Sequence, residues 1–189
     1  MSTTAVTTTS PAVITHTHIR LRGPQDSDIS VRHARTTDAR LTFNWGGVHM
    51  TVLNTQAAQG LLEALAAART ALIHLPENLG PHSGADDEPF ARPSVAVEWT
   101  RRPGYAVTPR SAAAANANTR VMHWVEVYLG PITIQILDRA AYRTALDILR
   151  QAHQTAIAVF LDGSQHAADP TDDDYRIADT STGLISRPR

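Results

Sequence analysis

One arrangement of residue types occurs twice in this chain and constrains its fold more than any other feature. The segments FNWGGVHMTV (43–52) and VYLGPITIQI (127–136) each contain an alternating apolar run, a glycine-containing pair and a second alternating run. Alternation with a period of two predicts half-buried strands, and glycine allows the positive φ of a tight hairpin turn. An alanine-rich stretch follows each segment. The sequence therefore predicts two similar units, each made of strands and one helix.

In the first half of the chain, four strands are predicted to precede a helix. The runs that predict them span residues 18–22, 29–34, 41–45 and 48–53, with Gly46 and Gly47 at the positive φ angles of the hairpin turn. Asn54 is a good N-cap because its side chain can accept a hydrogen bond from a first-turn amide. The helix that follows ends near Leu75-Pro76 and has an apolar stripe made of Ala58, Leu61, Leu62, Leu65 and Leu72.

The second half repeats this order. Strands are predicted at 94–99, 121–129 and 132–137, with a short one at 104–109, whereas the low-complexity segment 111–119 is predicted to be a loop. Gly130-Pro131 suits a tight turn with the positive φ at the glycine. Asp138 is the second predicted N-cap. The core face of the helix that follows consists of Tyr142, Leu146, Leu149, Ala152 and Ala156.

The two halves align at an offset of 84 residues, which pairs Gly46 with Gly130 and Asn54 with Asp138. A single unit of one sheet and one helix buries little apolar surface, so the two units are expected to share a core. We therefore predict an α+β fold of tandem duplicated strand-rich units of the ββββα type, packed as one pseudo-symmetric domain. The predicted organisation is a disordered Thr/Ser-rich arm at 1–15, a first unit at 16–75, an acidic linker at 76–93, a second unit at 94–162 and an acidic disordered tail at 163–189. The two units and the linker together form the duplicated domain, 16–162.

Charge is distributed unevenly along the chain, although the formal net charge is −1. Residues 1–74 have a net charge of +2 and residues 91–153 of +4, and all 17 basic residues are arginine. Residues 75–90 have a net charge of −4 and residues 154–189 of −3. The segments predicted to fold are therefore basic. A basic surface would suit an anionic partner with which the acidic tail competes, but acidic tails also serve simply to keep proteins soluble.

The order β-β-β-β-α, occurring twice over about residues 16–160, resembles that of the Whirly and purine-rich-element-binding families. Those families bind single-stranded nucleic acid and usually form oligomers, so the resemblance implies a nucleic-acid ligand. The same order also resembles the actinobacterial SsgA-like division regulators, which act through protein contacts. The lysine-rich motif of the Whirly family has no counterpart here, because the chain contains no lysine.

The first functional hypothesis is a single-stranded nucleic-acid-binding surface on a sheet. If the alternation is right, arginines and aromatic residues lie on outward faces of strands, where rings stack on bases and guanidinium groups neutralise phosphates. The candidate residues are Arg20, Arg22, Arg32, Arg101, Arg102, Trp124 and Tyr128. The other face of the same strand, with His123, Val125, Val127 and Leu129, is predicted to pack on the helix. A secondary basic stripe on the second helix consists of Arg139, Arg143 and Arg150.

The second hypothesis is a protein-interaction or scaffold module without a nucleic-acid role. Trp124 is more often a core or interface residue than a base-stacking one, and a sheet face with exposed aromatics suits an oligomer interface. The basic stripe has an equally simple interpretation as a solvated helix flank, in which Arg143 pairs with Asp147 at i,i+4. A homo-oligomer or a protein partner is therefore the alternative expectation.

An enzymatic or metal-dependent role has little support in the sequence. The chain contains no cysteine, which excludes disulfides and thiolate sites. No zinc-protease, phosphate-loop, dinucleotide or serine-hydrolase motif is present, so no cofactor is expected. His16, His18, His33, His49 and His123 fall on predicted strands, without a carboxylate at ligand spacing. No apolar run is long enough to span a bilayer and no secretory signal is recognised, so a cytoplasmic protein is expected.

Overall fold

A computed structural model describes residues 12–80, 94–113 and 121–176 of the chain. Within these residues it has eight strands and two α-helices, and the α+β class predicted from the sequence is confirmed. The strands are β1 Thr17–Leu21, β2 Ser30–Arg32, β3 Arg40–Trp45, β4 Val48–Val52, β5 Val95–Trp99, β6 Ala106–Ala113, β7 Val121–Leu129 and β8 Ile132–Ile136. The helices are α1 Thr55–Ala66 and α2 Arg139–Val159, together with the 3-10 helices Ala67–His74 and Gly163–His166.

The strands form two four-stranded sheets, and each sheet takes one strand from the other half of the chain. Sheet A has the order β1-β8-β7-β6 and sheet B the order β2-β3-β4-β5. β1 runs parallel to β8, and β5 runs parallel to β4, whereas the other neighbours are antiparallel. The prediction that each unit has a sheet of its own is therefore wrong. Alternation of apolar residues determines which face of a strand is buried, but it carries no information about the neighbouring strand.

Both predicted hairpin turns are present and have the same geometry. Gly46 has a φ of 55° and Gly130 a φ of 62°, whereas Gly47 is not among the positive-φ residues. A positive φ at the first central residue alone is the requirement of a type II′ turn, and Pro131 suits the second position because its φ is fixed near −65°. The prediction that both Gly46 and Gly47 have a positive φ is therefore wrong for Gly47.

Each α-helix begins at the N-cap predicted from the sequence. The side chain of Asn54 accepts a hydrogen bond from the Ala57 amide at 2.8 Å, and that of Asp138 accepts one from Ala141 at 2.7 Å. Four residues of the predicted stripe are buried on α1, namely Ala58, Leu61, Leu62 and Leu65, whereas Leu72 lies in the 3-10 helix and is only partly buried. Most of the core face of α2 is buried as well, with Leu146 only partly buried. The predicted caps and helical faces are confirmed because both depend on local sequence.

The chain that leaves each helix supports the start of the other helix. Asp162, just after α2, accepts hydrogen bonds from the amides of Thr55 and Gln56 at 3.0 and 3.2 Å. Conversely, the carbonyl groups of residues 76 and 77 accept hydrogen bonds from the amides of Arg139 and Ala140, both at 3.0 Å. These contacts satisfy helix-start amides that have no partner within the helix.

The core lies between the inner faces of the two sheets and the two helices. α1 packs against α2, and each helix also contacts a strand of either sheet. Leu41, Phe43 and Met50 of sheet B and Val125 and Ile136 of sheet A are at most 1% exposed. The two halves therefore share one hydrophobic core, and the outer faces of both sheets are available for polar side chains.

Three predicted elements differ from the structure by more than one residue. The first helix, predicted to end near Leu75-Pro76, ends as an α-helix at Ala66 and continues as the 3-10 helix Ala67–His74. β6 extends to Ala113, so residues 111–113 of the predicted loop are strand. These three residues pair with β7. β6 is the edge strand of sheet A, so small alanine and serine side chains can occupy it without packing against a further strand. β2 ends at Arg32 rather than at residue 34, because His33 has a φ of 52° and leaves the extended conformation.

Residues 163–176, predicted to begin a disordered tail, pack against the helices instead. Pro170 is buried, the carbonyl of His166 is bonded to the buried His153 ring at 2.8 Å, and the Tyr175 hydroxyl donates to Glu63 at 2.9 Å. The polar and acidic composition of this segment predicts disorder, because it does not show that a few residues pack against the helices. Residues 1–11, 81–93, 114–120 and 177–189, which include most of the predicted arm, much of the linker and the end of the tail, lie outside the described residues.

Candidate functional site

The outer face of sheet A brings three of the sequence-predicted candidates together. Arg20 on β1 lies opposite Gln135 on β8, and Gln135 lies opposite Glu126 on β7. Because alternate residues of a strand face the same side, Trp124 and Tyr128 share the face of Glu126. A row of polar side chains therefore crosses three strands, with an aromatic ring on either side of its centre.

The carboxylate of Glu126 is the centre of this arrangement and accepts four side-chain hydrogen bonds. Trp124 Nε1 and Gln135 Nε2 donate to Oε1 at 3.0 and 2.9 Å. Arg110 Nε and the Tyr128 hydroxyl donate to Oε2 at 3.0 and 2.5 Å. We call these five residues the Glu126 cluster.

Arginines lie on either side of the Glu126 carboxylate. Arg20 Nε donates to Gln135 Oε1 at 2.9 Å, and Arg110 Nη2 donates to the Tyr128 hydroxyl at 2.9 Å. The Arg110 side chain is 50% exposed although it is ion-paired with Glu126. Each guanidinium group has five N–H donors, so both arginines can bind a further acceptor from solvent.

The electrostatic state of Glu126 follows from its surroundings. Glu126 is 7% exposed, and burial by itself raises the pKa of its carboxyl group. The hydrogen bonds from Trp124, Tyr128, Arg110 and Gln135 stabilise the carboxylate more strongly and lower the pKa to about 2. At neutral pH the carboxylate is therefore ionised, and it holds the two aromatic rings in fixed positions.

Below about pH 4.5, the fold should lose stability that depends on the Glu126 carboxylate. Its pKa is lowered from 4.5 to about 2 on folding, so this contribution is complete above the unfolded value and disappears as the pH falls toward 2. We expect Glu126→Gln to be less stable than the wild type at pH 7. Its melting temperature should fall less steeply between pH 4.5 and 2. Thermal unfolding of the wild type and of Glu126→Gln across this pH range tests the prediction. It would be contradicted if the melting temperatures of the two proteins fell equally steeply with pH.

The other four predicted candidates lie elsewhere, and two of them, Arg22 and Arg102, have structural partners. Arg22 donates from Nε to Gly80 O at 3.0 Å and from Nη2 to Leu79 O at 2.8 Å, which holds residues 79–80 against β1. Arg32 is exposed at the end of β2 in sheet B, and Arg101 is exposed after β5. These residues are not part of the outer face of sheet A.

Arg102 is held by a buried ion pair rather than exposed for a ligand. Its guanidinium group pairs with Glu63 of α1, and the two side chains are 18% and 6% exposed. Arg102 also donates to the Tyr175 hydroxyl at 3.0 Å and to Gln59 at 3.3 Å. It joins the loop after β5 to α1 and to the 163–176 segment.

The three arginines of the secondary basic stripe on α2 each have a different partner. Arg143 pairs with Glu77, whereas Asp147 pairs with Arg150 at 2.9 Å, so the predicted Arg143–Asp147 pair is wrong. No local sequence pattern indicates that residue 77 lies next to α2. Arg139 Nη2 donates to the carbonyl of Ile73 at 2.9 Å.

Sequence reasoning missed three members of the cluster, Arg110, Glu126 and Gln135. Arg110 lies just after the short strand predicted at 104–109, and its position opposite Trp124 depends on the β6–β7 register. One signal for Glu126 was available, because it lies two residues from both Trp124 and Tyr128 and therefore on the same strand face.

Two further findings bear on the type of site. Among residues 12–80, 94–113 and 121–176, no group of three or more histidine, aspartate and glutamate side chains is arranged to hold a metal ion. In the same residues, no helix combines the length and the apolar character needed to cross a membrane.

No protein-family model matches this sequence, and neither the curated proteins nor the solved structures include a significantly similar chain.

Proposed function

We propose that this chain is a non-enzymatic binding protein and that it binds single-stranded nucleic acid on the outer face of sheet A. The observation that carries the proposal is the Glu126 cluster, in which one carboxylate fixes an indole ring, a phenol ring and a guanidinium group on an outward sheet face. Bases stack on aromatic rings of this kind, and each stacked base contributes about 1–3 kcal/mol. Rings that are fixed before binding lose little conformational freedom when a ligand binds.

The charge of this face suits a phosphate backbone. Arg20 and Arg110 contribute two positive charges, and Glu126 contributes one negative charge that is buried beneath its donors. The exposed charge is therefore positive, and the carboxylate acts as a support for the donors. The acidic residues Asp169 and Asp173 lie near Arg150 and Arg69 on the helical side of the molecule, so they do not cover the sheet.

The tandem duplication and the Whirly-like element order belong to this proposal. Leu53 N donates to Trp99 O at 3.1 Å, and at an offset of 84 residues Leu137 N donates to Leu21 O at 3.0 Å. The amides at the two helix starts that are bonded by the other half of the chain, at residues 55–56 and 139–140, are also 84 residues apart. These paired bonds support a duplicated unit whose first strands have been exchanged, and the resemblance to single-strand-binding families supports the ligand class.

Replacing Trp124 by alanine should weaken binding to a labelled single-stranded poly(dT) oligonucleotide about 5- to 150-fold, which corresponds to the loss of one stacked base. Arg110→Gln should weaken binding as well and reduce the salt dependence by about one ion, because a phosphate contact is lost. Fluorescence anisotropy over a salt titration measures both quantities. Circular dichroism of each variant verifies that the fold is retained.

Arg40→Gln is the matched control for the arginine variant. Arg40 lies on the outer face of sheet B and is ion-paired with Glu98 at 3.1 Å, as Arg110 is with Glu126 at 3.0 Å. We expect this variant to bind the oligonucleotide like the wild type. The proposal fails if the wild type does not bind at low salt, or if the sheet A variants bind as tightly as the control.

A protein-interaction or scaffold role is the second candidate, and one observation favours it. Met122, near the start of β7 and on the same strand face as Trp124, is 54% exposed. Apolar side chains beside an aromatic residue are typical of a protein interface. Light scattering of the wild type and of Trp124→Ala separates the candidates, since an interface predicts that the variant has a smaller oligomeric state.

A further inference from the structure

A cleft that shares no residue with the Glu126 cluster lies between the 3-10 helix Ala67–His74 and the first turn of α2. It has a volume of about 350 Å³, within the range of small-molecule sites. Its lining comprises three arginines, one tyrosine, one threonine and two apolar residues. They are Arg69, Thr70, Leu72, Ile73, Arg139, Tyr142 and Arg143. The lining contains basic residues from both elements and no acidic one.

Two hydrogen-bond donors in this lining are buried without a partner. Tyr142 is 5% exposed, and in the described part of the chain its hydroxyl has no hydrogen-bond partner. The same holds there for Arg139 Nε, whose neighbouring Nη2 is bonded to Ile73 O. Leaving a buried polar group unpaired is costly, and such groups in folded proteins need an explanation. Both side chains line this cleft, so a ligand that accepts hydrogen bonds there would supply a partner for each donor.

The charges around the cleft favour an anion. Burial raises the pKa of the Tyr142 phenol, and the positive charges of Arg69 and Arg150 act in the opposite direction. The phenol is therefore protonated at neutral pH and serves as a donor. The nearby acids are already engaged: Glu77 pairs with Arg143, and Asp173 lies 3.6 Å from Arg69 on a fully exposed side chain.

Asp138 is the remaining acid close to the start of α2. Its carboxylate is buried and accepts hydrogen bonds from the amides of Ala141, Gly23 and Leu79. Its negative charge is directed toward these amides and also acts on Arg143. Arg143 and Arg69 each pair with one carboxylate, so a ligand would bind their other N–H groups together with Arg139 Nε and the Tyr142 hydroxyl.

We propose that this cleft binds a phosphate group, either as inorganic phosphate or as the phosphate of a small phosphorylated molecule. Arginine forks match the geometry of phosphate oxygens, and a phosphate dianion has enough acceptors to satisfy the phenol and the guanidinium N–H groups together. This proposal does not depend on nucleic-acid binding at sheet A. The two sites share no residue.

Phosphate binding should appear as a rise in melting temperature when sodium phosphate replaces sodium chloride at constant ionic strength, because a ligand of the folded state stabilises it. Tyr142→Phe removes the donor alone and should weaken phosphate binding about tenfold or more. Arg69→Gln should weaken it as well. Without phosphate, Tyr142→Phe should melt no lower than the wild type, since the hydroxyl it removes has no partner in the described residues.

Tyr105→Phe is the matched control, because Tyr105 lies outside the lining of this cleft and should leave the phosphate effect unchanged. Titrations with inorganic phosphate, a 5′-mononucleotide and the corresponding nucleoside identify the source of the group. Stabilisation by the first two and not by the nucleoside is the expected result. The proposal is overturned if phosphate stabilises no more than chloride, or if Tyr142→Phe and Arg69→Gln retain the full effect.

Discussion

Replacing Glu63 by glutamine should lower the free energy of unfolding by about 3–5 kcal/mol, which is the usual cost of removing one partner from a buried ion pair. The variant leaves the Arg102 guanidinium without its counter-ion, and the side chain of Arg102 is only 18% exposed. The large effect therefore comes from the charge that remains, and not from the strength of the original pair.

The position of the pair adds to its importance. Glu63 lies on α1, Arg102 in the loop after β5, and Tyr175 in the segment that follows α2. The Tyr175 hydroxyl accepts from Arg102 at 3.0 Å and donates to Glu63 at 2.9 Å. Breaking the pair should therefore loosen three parts of the chain that no local sequence pattern connects.

Chemical denaturation of three variants tests this prediction. Tyr175→Phe should cost about 1.5–3 kcal/mol, because its hydroxyl makes hydrogen bonds to the charged groups of Arg102 and Glu63. A double variant, Glu63→Leu with Arg102→Met, should recover most of the loss, since apolar residues of similar volume often replace a buried pair without cost. A Glu63→Gln variant within about 1 kcal/mol of the wild type would contradict the prediction.

The sequence predicted the parts of the fold that depend on local order. Strand alternation, the hairpin glycines and the two N-caps depend on residues a few positions apart, and each identified its element. The partner of β1 is different, because Ile19 lies opposite Ile134, far away in the chain. Nothing in an alternating run indicates which strand it will join, so the exchange of first strands between the sheets could not be predicted.

The candidate site was predicted in part for the same reason. Trp124 and Tyr128 were assigned to an outward face because alternation fixes the face of a strand. Arg110 and Gln135 join them only through the register of β6 and β8 against β7. Arg102 looked like an exposed arginine, although it faces a buried glutamate on a helix. Long-range pairing, rather than residue type, therefore separates the ligand-binding candidates from the structural arginines.

The two helix caps, which occupy equivalent positions in the sequence, have very different surroundings in the structure. Asp138 is fully buried, and its carboxylate accepts hydrogen bonds from Ala141 N at 2.7 Å, Gly23 N at 2.8 Å and Leu79 N at 2.9 Å. Asn54 accepts one amide hydrogen bond, from Ala57. One aspartate thus connects the start of α2, the end of β1 and the segment after the 3-10 helix.

Asp138→Ala should therefore cost about 3–7 kcal/mol of unfolding free energy, because it removes a cap of about 1 kcal/mol and leaves two further amides unpaired at about 1–3 kcal/mol each. Asn54→Ala is the matched control and should cost only about 1 kcal/mol. Denaturant unfolding of both variants measures the difference. Hydrogen exchange should show loss of protection at Gly23 and Leu79 in the Asp138 variant alone. Equal costs for the two variants would mean that the additional amides find other acceptors, and that Asp138 is an ordinary cap.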